Sequence, residues 1–246
     1  MAVSVNTVYQ TVLALANKEQ RGYITPQEFN LFANQAQMDI YEQYFYDLNQ
    51  FRRGTSSHDN STDPVAIIHD KLSNFAMFSY PSASVPSSTG NKKYTLPTDF
   101  YRYIDSFKKE DTTLAGTIIE KVTKKDFFRV ARGPLTKATS SRPILYFDEE
   151  DRSIWISGFP AFSNSADSQI SFSYYRVPKV PKWAYLVVNE KPFYNSQKST
   201  NFELHSSEQK NLILKILNLA GISIKDYSLT QAAQVAEGFS IQNQKS

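Results

Sequence analysis

Three groups of residues in this chain have types and spacings that could carry chemistry, and each also has a plainer use. The stretch N-K-E-Q-R-G-Y-I-T-P-Q-E has the outline of a calcium loop, with Asn17 first, Gly22 at the sharp turn and Glu28 at the last ligand position. Its ligand set fails: Glu19 suits the third position, but Arg21 occupies the fifth, where a cation opposes the metal. The plainer reading is a helix start, with Thr25 as cap, Pro26 at the first helical position and Glu28 closing a capping box. The acidic run Asp148-Glu149-Glu150-Asp151 has no histidine near it and reads as a solvated hairpin turn. The histidines His58, His69 and His205 have no zinc-site spacing. A hydrolase using His58 or His205 would need a nucleophile, and no G-x-S-x-G elbow occurs, nor a P-loop or G-x-G-x-x-G. The chain has no cysteine, which removes thiolate metal sites, disulfides and a cysteine nucleophile together. The expectation is a protein with no catalytic residues, no metal and no cofactor.

Composition narrows the partners. Fifteen tyrosines and seventeen phenylalanines could stack single-stranded nucleic acid or sugar, or could build small cores and contact rims. The net charge is only +3, from 27 basic and 24 acidic residues, which favours packing over bulk nucleic-acid binding. No apolar run reaches the roughly 20 residues of a bilayer span. The N-terminal residues lack the charged and small-residue pattern of a secretory signal, so no membrane association is expected.

The elements that must position these residues read as α+β, a helical scaffold from both ends of the chain with a small antiparallel β-domain inserted. Val5, Val8, Val12 and Leu15 form one helical stripe, and Phe29 to Phe51 form a second behind the capping box. Arg52 to Asp63 reads as a loop, Pro64 to Phe78 as a short helix and Ser79 to Asn91 as another loop. The helical part is expected over 1–78 and the β-domain over 92–181. Its strands are Tyr94–Leu96, Phe100–Phe107, Thr117–Val122, Ile144–Phe147, Ser153–Ser157 and Gln169–Tyr175. Thr123 and Asp126 open a short helix between them that ends near Gly133. Ile154, Ile156, Ile170, Phe172 and Tyr174 should face a core, with Trp155 on the other face. Residues 182–203 read as an irregular arm carrying Trp183, Tyr185, Phe193 and Tyr194. Residues 204–246 read as a helix capped by Ser206, stopped by Gly221 and followed by a loose tail with a weakly apolar helix from Thr230 to Phe239.

In this order, the segments Y-T-L-P-T-D-F, R-P-I-L-Y-F, I-W-I-S-G-F-P and S-F-S-Y-Y-R-V-P between helices resemble the head-to-tail adaptor proteins of short-tailed bacteriophages. The flanking Y-I-T-P-Q-E-F-N, A-Q-M-D-I-Y-E-Q-Y-F and L-H-S-S-E-Q-K look more specifically like virion ring proteins of crAss-like phages. The resemblance implies a structural virion protein in the neck or tail, assembled in the host cytoplasm into a homo-oligomeric ring that is usually dodecameric in that family. Its partners would be the portal protein and other neck rings, with genomic DNA passing through without sequence recognition. It also implies that Leu229, Val235, Phe239 and Ile241 anchor a C-terminal tail on the portal. Trp183, Tyr185, Phe193 and Tyr194 would then make subunit or tail contacts. The competing expectation is a non-enzymatic module that recognises carbohydrate or peptide through those same aromatics.

Overall fold

A computed structural model describes residues 2–18, 24–53, 64–79, 83–86, 91–108, 117–158, 170–223 and 235. Along the chain the elements run β1 (Ala2–Val3), α1 (Val5–Lys18), α2 (Pro26–Arg53), α3 (Pro64–Ser73), β2 (Ala76–Ser79), β3 (Ala83–Pro86), β4 (Asn91–Thr95) and β5 (Phe100–Lys108). Next come β6 (Thr117–Ile118), β7 (Glu120–Lys121), α4 (Lys124–Arg132), β8 (Ile144–Asp148), β9 (Ser153–Ser157) and β10 (Ile170–Arg176). The last are β11 (Tyr185–Val188), β12 (Lys191–Tyr194), β13 (Phe202–His205) and α5 (Gln209–Ser223). The fold class is α+β. Both ends of the chain, Met1–Asn74 and Pro178–Ser246, form one unit, and Phe75–Val177 forms a second inserted into it.

In the first unit, α2 starts where Thr25 and Glu28 make the expected box. The Glu28 carboxylate accepts from the Thr25 amide at 3.0 Å and from its hydroxyl at 2.8 Å, while the Thr25 hydroxyl oxygen accepts from the Glu28 amide at 3.3 Å. These bonds hold the Glu28 carboxyl below its ordinary range, the backbone bond contributing most. Phe29, Ala33, Ala36, Ile40, Tyr41, Tyr44 and Leu48 bury the inner stripe of α2, which packs on α3 and α5. Inside this stripe sits Gln37, fully buried. Its Nε2 donates to the Lys179 carbonyl at 2.9 Å, and its Oε1 accepts from the Glu203 amide at 3.2 Å. A polar side chain at that position is stable because both ends of its amide are satisfied.

The second unit is a sandwich of two sheets, with strand orders β2-β10-β5-β6 and β3-β4-β9-β8-β7. All its pairs are antiparallel except β7 with β8, which is parallel. Alternation along the strands sorts the side chains between two cores. Leu145, Ile154 and Ile156 face inward against Ile170, Phe172 and Tyr174. Ile144, Tyr146 and Trp155 point the other way, into a second cluster closed by Phe127 of α4. Thr123 caps α4 as expected, its hydroxyl oxygen accepting from the Asp126 amide at 3.2 Å, and Gly133 closes it.

The L-P-T-D and Y-Y-R-V-P segments turn out to be one structural lock. The Tyr174 hydroxyl donates to Asp99 Oδ1 at 2.9 Å, and the Val177 amide donates to the Asp99 carbonyl at 2.8 Å. Burial first, and the Asp99 carboxylate second, push Tyr174 up to about 12. The fold favours the neutral phenol, so this stabilisation is full below the unfolded tyrosine value of about 10. It is lost as pH rises through about 12. Tyr174→Phe should therefore be less stable at neutral pH and should show a shallower loss of stability between about pH 10 and 12 in alkaline melts.

Several segments differ from expectation, each for a physical reason. The tail of the predicted third helix, A-M-F, with Ser79 of the predicted loop, is β2, paired with β10, so the β-unit spans Phe75–Val177 rather than 92–181. So short an apolar run, Ala76 to Phe78, fits either period. The Ser/Pro-rich stretch expected as loop contains β3, which tolerates Pro86 because it is an edge strand. Thr117 to Val122 is not one strand: it switches sheets at buried Ile119. The 182–203 arm is not irregular: it holds β11 and β12, and β13, which starts at Phe202, pairs with β1. His205, not Ser206, caps the turn before α5, its Nδ1 accepting from the Ser207 amide at 3.3 Å. Gly221 lies inside α5 rather than ending it. Of the loop expected over Arg52 to Asp63, Arg52 and Arg53 belong to α2, and residues 54–63 lie outside the described residues.

Candidate functional site

Among the described residues, the largest run of exposed apolar side chains in the first unit lies on the β11–β12 hairpin. Leu186, Val187, Val188 and Phe193 are each at least half exposed, and Tyr194 is more than a third exposed. The register pairs Tyr185 with Tyr194, Leu186 with Phe193, Val187 with Pro192 and Val188 with Lys191, so successive pairs alternate faces. Both faces of the ribbon are therefore apolar, and β11 and β12 form a sheet of their own. Asn189 and Glu190 make the turn, with φ of 49° and 62°. Two consecutive left-handed residues give a primed turn, which matches the twist of the flanking strands.

The base of the hairpin is fixed to the helices. Trp183 is 4% exposed; its ring lies 4.1 Å from Tyr9 and stacks with Tyr185 at 5.7 Å and Tyr194 at 5.9 Å. The Trp183 indole donates to Asn6 Oδ1 at 3.1 Å. Its backbone exchanges two bonds with the Asn30 side chain, at 2.7 and 3.2 Å, as a neighbouring strand would. Trp183 is thus a core anchor, which corrects its expected role as a contact residue. Of the four aromatics predicted there, Tyr185 is half-buried, while Phe193 and Tyr194 reach the surface. Leu186, Val187 and Val188 were missed. Their signal, L-V-V-N-E-K-P-F-Y, is strand–turn–strand, but its turn has Glu where a primed turn prefers Gly.

The second unit carries a groove of about 710 Å³. Its floor is the exposed margin of the inner core: Leu96, Phe100, Tyr103 and Phe147. Its rim carries Arg102, Lys121, Lys124 and Arg152 against Asp148 and Glu149. The Lys121 ammonium lies over the rings of Phe147 at 4.8 Å and Tyr103 at 5.6 Å. Lys124 pairs with Asp148 at 3.3 Å, so part of the acidic charge is already compensated. These residues come from three separate segments, 96–103, 121–124 and 147–152, which is why no local pattern announces the groove.

Asp151, in the β8–β9 turn, accepts from Lys93 at 2.8 Å, which holds its carboxyl below the usual range, and Asp148 ends β8 opposite Ser153. Among the described residues no group of three or more His, Asp or Glu side chains could hold a metal ion, and no helix is long and apolar enough to cross a membrane. His69 is exposed and His205 serves as a cap. Val235 is helical and 57% exposed. Leu229, Phe239, Ile241, His58 and the core of the calcium-loop candidate, Glu19 to Tyr23, lie outside the described residues. No protein-family model matches the chain, and no curated protein matches it.

Proposed function

We propose that this chain is a structural subunit of a phage neck. In this reading it assembles in the host cytoplasm into a closed ring between portal and tail, dodecameric as in the resembling adaptors, and extends the genome channel. The observation that carries the reading is the β11–β12 hairpin, apolar on both faces and anchored rigidly at Trp183. An isolated two-stranded ribbon with exposed Leu, Val and Phe gains stability only when something covers it. A subunit built to join copies of itself supplies that cover. The inserted β-unit on a body made from both chain ends follows the adaptor plan that the sequence resembles. Portal docking through Leu229, Val235, Phe239 and Ile241 belongs to the same proposal, as does passage of DNA without sequence recognition.

The alternative, carbohydrate recognition by exposed aromatics, loses its best stacking residue, because Trp183 is buried. The test is mass photometry of the full chain, alone and with the portal protein of its virus. The expected result is one discrete multiple of the 28.0 kDa chain, formed alone or on the portal. A monomer in both conditions contradicts the reading.

A further inference from the structure

We propose that the contact closing this ring is heterologous: the β11–β12 hairpin of one copy seats in the β-unit groove of a second copy. This rests on the ring reading and specifies how its subunits join. The hairpin offers an apolar patch on the order of a few hundred Å², the size at which exposed surface marks an interaction site. The groove offers the complementary surface, an aromatic floor of Phe100, Tyr103 and Phe147 that its own core leaves partly open. The groove, about 710 Å³, lies within the roughly 300–1,000 Å³ of recognition clefts.

Charge complements shape. The turn holds Glu190, with φ of 62°, at the apex of the hairpin. The groove rim has four cations to two acids, and one of those acids, Asp148, is already paired with Lys124. A carboxylate entering with the tip meets Lys121, whose ammonium stands over the aromatic floor at 4.8 Å from the Phe147 ring. Glu149 on the same rim can receive Lys191, the residue after the apex. Two different surfaces that complement each other give a head-to-tail contact, and head-to-tail contacts make rings when the rotation closes. A hairpin that met another hairpin would instead make a two-fold dimer.

Two variants of the full chain separate these cases. Val187→Ser with Phe193→Ser removes apolar area from exposed hairpin positions, and Lys121→Glu reverses the groove charge. Thermal melts check that each is folded, and Lys124→Glu replaces Lys121→Glu if that variant is not. In the condition that assembles the wild type, each variant alone should be monomeric by mass photometry. An equimolar mixture should stop at two chains, because it contains a single intact hairpin and groove pair. The contact is overturned if either folded variant alone assembles like the wild type, if the mixture stays monomeric, or if the wild type stops at a dimer. A wild type that assembles while the variants do too sinks only this contact. A wild type that never assembles sinks the ring reading with it.

Discussion

Glu208→Ala should lower the stability of the helical unit by about 3–5 kcal/mol, a large share of the roughly 5–15 kcal/mol that holds a domain together. The Glu208 side chain is 4% exposed and receives the Lys71 ammonium at 2.6 Å; its second oxygen accepts from Asn211 Nδ2 at 2.9 Å. Tyr44 lies beside the same carboxylate, and burial together with that negative charge pushes its phenol far above the tyrosine range. Lys71 also lies over the Tyr44 ring at 5.6 Å. Residues from α2, α3 and the turn into α5 thus converge on one carboxylate. Truncating it leaves a mostly buried ammonium without its counter-charge and removes the carboxylate to which the Asn211 amide donates. Glu208→Gln keeps the volume and the acceptor for Asn211, so it should cost less than the alanine. Urea melts followed by far-UV circular dichroism measure both. A loss below about 1 kcal/mol for the alanine would mean that water repays the ammonium, and the cluster would not be a structural centre.

The β-unit has its own centre at Phe172, and Phe172→Ala should cost about 3–5 kcal/mol there. Phe172 is fully buried, with the rings of Tyr174, Tyr103, Phe100 and Phe147 at 5.6, 5.7, 5.8 and 6.4 Å. Removing the ring costs its transfer energy and leaves a cavity that stiff aromatic neighbours fill poorly. The two tryptophans supply one reporter per unit, Trp155 in the β-unit and Trp183 in the helical unit. In a Trp183→Phe background, Phe172→Ala should shift the Trp155 fluorescence transition to lower denaturant by more than it shifts the helical circular dichroism signal. Equal shifts in both signals would mean that the two units unfold as one.

The α+β class was legible because the strongest local signals agree with the fold. The Thr25–Glu28 box, the α2 stripe and the alternation through Ile170, Phe172 and Tyr174 each report a backbone period that tertiary structure did not override. Trp183 was misread because an aromatic among polar residues gives no local sign of burial. Its partners, Asn6, Tyr9 and Asn30, lie more than 150 residues away in sequence. The hairpin was misread because a strand whose faces are both apolar and both exposed has no alternation to detect. The same property makes it the candidate assembly surface. The groove, assembled from three segments, depended on knowing that β5, β7 and β8 come together.

In the proposed neck-ring reading, copies of this chain close into a ring. Negative-stain electron microscopy of the purified protein, alone and mixed with the portal protein that this reading assigns to it, decides the matter. Class averages should show one rotational symmetry around a central opening, seated coaxially on the portal when portal is present. Isolated particles of a single chain in both samples, or open filaments with no closed class, would contradict it.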